Sequence, residues 1–223
     1  MSGYEMKKVY CSGPLFCPEE VEAMEKIAAV LEDAGYATFL PHRDGVEAFA
    51  LNAVNSPLAN LLVFRPITRF VSRATFALDI CEVLECDYFV FNMNGVVPDE
   101  GGVVETGVAF ATGKPIVVYK SETGNMCDLP ENPTVMGASY TFEAVRDIHE
   151  IPEALEELAE RLRFLGANSY PENGLPGFIW QVAGFGRKVR WVLRKIQFVK
   201  PKNMMSPARN VSAAGIDGSH RGA

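Results

Sequence analysis

Tyr88-Phe89-Val90-Phe91 leads into Pro98-Asp99-Glu100-Gly101-Gly102-Val103-Val104-Glu105-Thr106-Gly107, and Gly113-Lys114-Pro115-Ile116-Val117-Val118-Tyr119 leads out. The order is strand, glycine loop, short helix, strand, which is half of a parallel α/β unit. Parallel sheets take ligands beyond the carboxyl ends of their strands, and the loop 92–102 is expected at such an end. Gly101 and Gly102 would let backbone approach a ligand closely. Glu105 is expected in the first turn of the following helix, where the dipole favours an anionic carboxylate and so a nucleophile. The same pattern also fits an ordinary helix start with acidic capping residues, and the local sequence leaves both readings open.

The rest of the chain supplies strands and helices to build around that unit. Its 223 residues suffice for one α/β domain with an appendage. Lys8-Val9-Tyr10-Cys11-Ser12 reads as a strand stopped by Gly13-Pro14, and Ala37-Thr38-Phe39-Leu40 as a second strand broken at Pro41. Between them, Glu19 to Ala34 has Val21, Met24, Ile27, Ala28 and Leu31 on one helical face and Gly35 as its C-cap. Val46 to Leu62 has a helical pattern interrupted by Pro57, and Arg65-Pro66-Ile67 is expected to be extended or a turn. Ser72 to Cys86 is a helix with Phe76, Ile80, Val83 and Leu84 apolar, and with Glu82 and Glu85 on a solvated face. Asp79 either points along the sheet edge or is a surface acid. Tyr140-Thr141-Phe142 reads as a last edge strand, and Ile151 to Leu165 as a helix with acids near its start.

Three segments follow from this pattern: a globular domain over 1–166, a linker and helix over 167–199, and a tail over 200–223 expected to be disordered. In the second, Phe178, Val182, Phe185, Val189, Val192, Ile196 and Val199 form a helical apolar stripe flanked by Arg187, Lys188, Arg190, Arg194 and Lys195. Gly184 and Gly186 weaken that helix. The stripe is read first as packing onto its own domain or a neighbouring subunit, and second as contact with a membrane surface.

Charge and cysteine usage narrow the function classes. Residues 1–164 carry 12 Lys and Arg against 26 Asp and Glu, whereas residues 165–223 carry 9 against 2. An acidic body is a poor surface for nucleic acid. Cys11, Cys17, Cys81, Cys86 and Cys127 form no Cys-x-x-Cys pair and stand beside no histidine cluster. That argues against a zinc site or a disulfide framework and fits a reducing cytoplasm. No apolar run is long enough to span a bilayer, and the Met-Ser-Gly-Tyr-Glu start lacks a signal-peptide pattern.

Taken together, Val9-Tyr10-Cys11-Ser12-Gly13-Pro14-Leu15-Phe16, Phe39-Leu40-Pro41-His42-Arg43-Asp44-Gly45, Ala77-Leu78-Asp79-Ile80, Asp99-x-Gly101-x-x-x-Glu105-x-Gly107 and Gly113-Lys114-Pro115 resemble the nucleoside 2-deoxyribosyltransferase family. The matches occur in order across residues 8–137; the segment after about residue 166 lies outside them. The resemblance implies a flavodoxin-like three-layer α/β sandwich with a mostly parallel sheet of about five strands, here with a basic C-terminal helical extension. It implies Glu105 as nucleophile, Asp99 on the sugar hydroxyls, Asp79 near the leaving base and Tyr10 orienting the glutamate. Ser12, Gly13, Pro14, Leu15 and Phe16, with His42, Arg43 and Asp44, would line the base pocket beside Gly101 and Gly102. His42 stands where many relatives have Gln. Asn132 and Met136, in Asn132-Pro133-Thr134-Val135-Met136, imperfectly match the stretch by which a neighbouring subunit completes family sites, so a homo-oligomer is implied. The partners implied are a deoxynucleoside and a free nucleobase, with no metal or redox cofactor.

The chemistry is consistent with these residue types. Retaining glycosyl transfer needs a carboxylate nucleophile and a proton for the departing base. Glu105 would act ionised while Asp79 holds or relays a proton. Relatives that hydrolyse deoxynucleoside monophosphates tend to carry a small hydroxyl residue where this chain has Asp99, so unphosphorylated deoxynucleosides are expected as substrates. Two alternatives stand beside transfer: an N-glycosidase on the same scaffold, and a nucleotide-sensing module without chemistry.

Overall fold

The computed structural model describes residues 6–46, 65–95, 99–121, 131–164 and 174–198. Its elements run β1 (Lys8–Ser12), α1 (Pro18–Asp33), β2 (Ala37–Phe39), α2 (Pro41–Asp44), α3 (Arg65–Glu85), β3 (Tyr88–Asn92), α4 (Glu100–Ala111), β4 (Ile116–Tyr119), α5 (Pro133–Ala138), a 3₁₀ turn (Ile148–Glu150), α6 (Ile151–Phe164) and α7 (Gly177–Phe198). The strands are all parallel in the order β2-β1-β3-β4. This is the flavodoxin-like winding, in which the chain reverses direction across the sheet between β1 and β3. Tyr10 pairs with Phe89 and Ser12 with Phe91, so the two central strands end together.

Alternation along the strands divides the core in two. Tyr10, Phe39, Phe89, Phe91, Ile116 and Val118 face Ala74 and Leu78 of α3, Ala109 of α4 and Met136 of α5. Val9, Cys11, Tyr88, Val90 and Val117 face Met24, Ile27 and Leu31 of α1 and Leu155 of α6. Helix α1 ends with Ala34 as its C-cap, and Gly35 just after it takes φ 92°, the left-handed turn that glycine allows.

Four readings of local structure need correction. The described residues form four strands, not about five. Tyr140 and Phe142 have φ of 62° and 59°, left-handed values that no strand adopts. The expected fifth strand shrinks to one parallel bridge between Tyr119 and Val145, and a cleft of about 350 Å³ lies along that edge between β4, Ser139–Arg146 and α6. Arg65-Pro66-Ile67 is helical rather than extended; proline is tolerated in a first turn, where its missing N–H has no helical partner. Glu82 is not on a solvated face. It is fully buried and ion-paired to Lys8 of β1 and, at 3.0 Å, to Arg190 of α7. Phe76, expected inside, is exposed instead.

Gly186 has a packing role besides its low helix propensity. A side chain there would collide with the Ala77 carbonyl and the Cys81 Cβ, so this glycine permits the close crossing of α7 over α3. Ala183, Phe185, Val189 and Leu193 supply the packing around it. Of the expected stripe, Val182, Phe185 and Val189 lie partly covered, while Phe178, Val192 and Ile196 stay exposed. The interrupted pattern over 46–62, beyond Val46, and the tail over 200–223 fall outside the described residues.

Candidate active site

The site is built on the row of β1 side chains that faces α4. Tyr10 and Ser12 are two apart and project to the same side of the sheet. Tyr10 Oη donates to Glu105 Oε1 at 2.7 Å, and Ser12 Oγ donates to Glu105 Oε2 at 2.6 Å. The tyrosine ring is stacked between Phe39 and Phe89, with centroids 5.4 and 5.5 Å away. Both donors therefore come from a buried, packed strand, and they fix the carboxylate by its two oxygens. Two donated hydrogen bonds suit the anionic form and leave lone pairs for attack.

Glu105 does not lie in the first turn of its helix. Helix α4 starts at Glu100 with Asp99 as N-cap, which puts Glu105 in the second turn, beyond the reach of a dipole effect that fades within the first. The two hydroxyls do what the dipole was expected to do. Gly101 and Gly102 are likewise inside the helix rather than in the loop. A Cβ on Gly102 would sit 2.5 Å from Phe91 Cε2 and 2.9 Å from Ser12 Oγ and Asp99 Oδ2. Its bareness lets the first turn of α4 press against the strand ends, and that approach brings Glu105 onto β1. Thr106 supports the turn by donating to the Gly102 carbonyl at 2.7 Å.

Asp99 makes no side-chain cap hydrogen bond to its own helix, and its carboxylate stays beside Gly101 and Gly102 at the mouth of the site. Gly13 turns the chain out of β1 between α1 and β3, where a Cβ would meet Met24 Sδ at 2.7 Å and Asn92 Cβ at 2.8 Å. Pro14 is buried, Leu15 packs on the α1 core, and Phe16 is exposed on the exit from β1.

The residues after β2 form a separate ionic cluster. His42 Nε2 lies 2.8 Å from Glu25 Oε1. Arg43 pairs with Glu32 at 3.0 Å and Asp44 at 3.1 Å, and donates to Thr38. Asp44 accepts from the Leu40 amide. These contacts tie the one-turn helix α2 to α1 and to itself. Asp79 is half-buried on α3, one turn before Glu82. Asn132 caps α5 by accepting from the Thr134 amide, and Met136 is buried against the sheet.

One pair of polar residues escaped the sequence reading. Asn92, buried at the end of β3, accepts from the Asn94 amide and side chain, and Asn94 Oδ1 accepts from the amide and hydroxyl of Ser121. This chain of hydrogen bonds holds the exits of β3 and β4 together. The available signal was a polar residue closing an otherwise apolar strand. Among the described residues, no group of three His, Cys, Asp or Glu side chains is placed to hold a metal ion.

A family model, nucleoside 2-deoxyribosyltransferase, matches residues 9–189. The chain belongs to that family. The match runs beyond the motifs at 8–137 and takes in most of α7, so the helix packed on α3 falls within the family's extent. Among solved structures, a 2-deoxyribosyltransferase from Bacillus psychrosaccharolyticus aligns at 17% identity and TM-score 0.46, over 65% of this chain and 89% of that one. A conserved protein from Enterococcus faecalis aligns at 21% identity and TM-score 0.46, over 70% and 99%. A CMP N-glycosidase from Clostridium botulinum aligns at 18% identity and TM-score 0.36, over 70% and 99%. Comparison with curated proteins finds no match.

Proposed function

We propose that this family member transfers 2-deoxyribose between nucleobases through a covalent glycosyl–Glu105 intermediate. The observation that carries the reading is the Glu105 carboxylate held at both oxygens by Tyr10 and Ser12, at the carboxyl ends of the sheet's strands. A Glu105 oxygen attacks C1′ of a deoxynucleoside as the C1′–N bond breaks. The bonding pair leaves with the base nitrogen, which is protonated with Asp79 holding or relaying the proton. A second base then attacks C1′ through its ring nitrogen, loses a proton, and releases the carboxylate. Because deoxyribose has no 2-hydroxyl, the oxocarbenium-like transition state needs few groups besides this carboxylate.

Asp99 would bind the sugar hydroxyls. Its position as the N-cap of α4 also bears on phosphate. A bare helix N-terminus attracts phosphate, but here a carboxylate stands at that end, and like charges brought together out of water repel. Unphosphorylated deoxynucleosides are therefore the proposed substrates. The remaining proposed pocket residues, Leu15, Phe16, His42, Arg43 and Asp44, would contact the base, and Asn132 would serve a neighbouring subunit's site, with Met136 buried against the sheet as an anchor for α5.

Incubation with deoxyinosine and free adenine tests the reaction by chromatography. Deoxyadenosine is the expected product, and it should disappear with Glu105→Ala. Hypoxanthine alone would assign hydrolysis. An active Glu105→Ala enzyme, or no turnover of any deoxynucleoside by the parent, would overturn the proposal. Asp99→Ser should weaken nucleoside use and admit monophosphates; unchanged use of both would refute the discriminating role of Asp99.

A further inference from the structure

Helix α7 uses only part of its surface to dock. Arg187 and Arg190 are consumed by Glu85 and Glu82 of α3, with Arg190 2.6 Å from Glu85. What remains points outward: Lys188, Arg194 and Lys195 are exposed, together with Phe178 (67%), Trp191 (63%), Val192 (45%) and Ile196 (40%). Lys195 lies over the Trp191 ring at 5.7 Å. The whole helix contains no Asp or Glu. Next to it on α3, the exposed ring of Phe70 meets Phe185 edge-on, and the neighbouring Arg69 and Arg73 are exposed as well. Beyond residue 198 the sequence adds Lys200, Lys202, Arg209 and Arg221 against a single Asp217.

This outer face sets Lys188 and Lys195 between Trp191 on one flank and Val192 and Ile196 on the other, on a protein whose first 164 residues are strongly acidic. A surface helix with Trp and aliphatic groups among lysines matches the head-group region of a membrane, where tryptophan is favoured and apolar side chains reach the acyl boundary. No helix among the described residues is long and apolar enough to cross a membrane, so the contact would lie in the plane of the surface. We propose that the outer face of α7 docks on an anionic lipid surface, with Trp191, Val192 and Ile196 inserted between head groups and Lys188, Arg194 and Lys195 paired to lipid phosphates. The choice of lipid rests on charge complementarity: phosphates supply the negative partner, and the acyl boundary takes the exposed rings and branched chains. This proposal is independent of the deoxyribosyl reaction.

The test uses the full chain and vesicles of phosphatidylcholine, with or without about a third phosphatidylglycerol. Binding is read by flotation and, in a Trp180→Phe background, by Trp191 emission. The expected result is flotation with anionic vesicles only, a blue shift of Trp191, and loss of both in high salt. Reversing three cations (Lys188→Glu, Arg194→Glu, Lys195→Glu) should weaken binding about 100-fold. These side chains are exposed, and thermal unfolding checks that the variant stays folded. Should it fail to fold, Val192→Ser with Ile196→Ser is the second variant, expected to bind more weakly while the cations remain. No flotation, equal flotation with both vesicle types, or full binding by a folded charge-reversed variant would overturn the proposal. It would equally fall if the reversal instead dissolved a dimer or removed a tighter affinity for single-stranded DNA.

Discussion

Tyr10 presents a single donor to Glu105 while its ring is stacked between two phenylalanines, so packing and polar function can be separated at this residue. Tyr10→Phe keeps the stack and removes the donor. Its expected cost in stability is small, about 1 kcal/mol, whereas kcat should fall about 10- to 100-fold because the carboxylate loses half its orientation. Steady-state kinetics beside urea unfolding separates the two effects; equal activity in the variant would show that the Tyr10 donor is not needed to fix Glu105. Glu105 itself was legible in the sequence as the acid following Asp99 and the paired glycines. Its surroundings were less so. Gly101 and Gly102 have the look of a loop, and only the tight contact of Gly102 with Phe91 and Ser12 explains why glycine begins a helix here. Its partners lie on two different strands, one of them near the start of the sequence, and so leave no local pattern.

Among the elements, the α3–α7 pair carries the clearest physical signature. At Gly186 the two helices approach so closely that any Cβ would strike the Ala77 carbonyl, a backbone atom with no rotamer to change. Gly186→Val should therefore separate the helices and cost about 3 kcal/mol, lowering the urea midpoint; a midpoint equal to the parent's would contradict the crossing. Helical periodicity announced α7 nearly to the residue and the C-terminal end of α3, but Pro66 gives the first turns of α3, from Arg65, the look of an extended segment or a turn. It misassigned one acid as wet. Glu85 is exposed as its helix pattern suggests, but Glu82 only looks solvent-facing when the helix is read alone, since the cations that cover it arrive from β1 and from α7. The fifth strand failed for a different reason. Tyr-Thr-Phe has high strand propensity, but left-handed backbone at Tyr140 and Phe142 breaks the extension and leaves a one-residue bridge.

For the whole molecule, acid should loosen the C-terminal helix and the opposite sheet face together. Burial would raise the Glu85 carboxyl, but hydrogen bonds from Arg187 and Arg190 outweigh it and hold the group below its ordinary value of 4.5. At Glu156 the same balance holds: burial raises it, and bonds from Tyr36, Lys7 and Tyr88 bring it down. Both folded-state values are depressed, so their contribution is complete above the unfolded value and is lost as pH falls through the folded one. Stability should be level near neutrality and decline below about pH 4.5. Removing Glu85 with Gln should flatten that decline; an unchanged acid limb in thermal unfolding would place the loss elsewhere.

The row Lys8, Tyr10 and Ser12 has a consequence for recombination. One face of a five-residue strand binds the carboxylate of α4 through its last two members and, through its first, the buried Glu82 that also receives Arg190. The opening strand and the final described helix thus meet at one glutamate, although they stand at opposite ends of the chain. A chimera that took its front from one family member and its back from another would have to carry Lys8 and Arg190 as a matched pair. Without that match, the fully buried Glu82 would keep only one of its two cations beneath the same strand that aims Glu105.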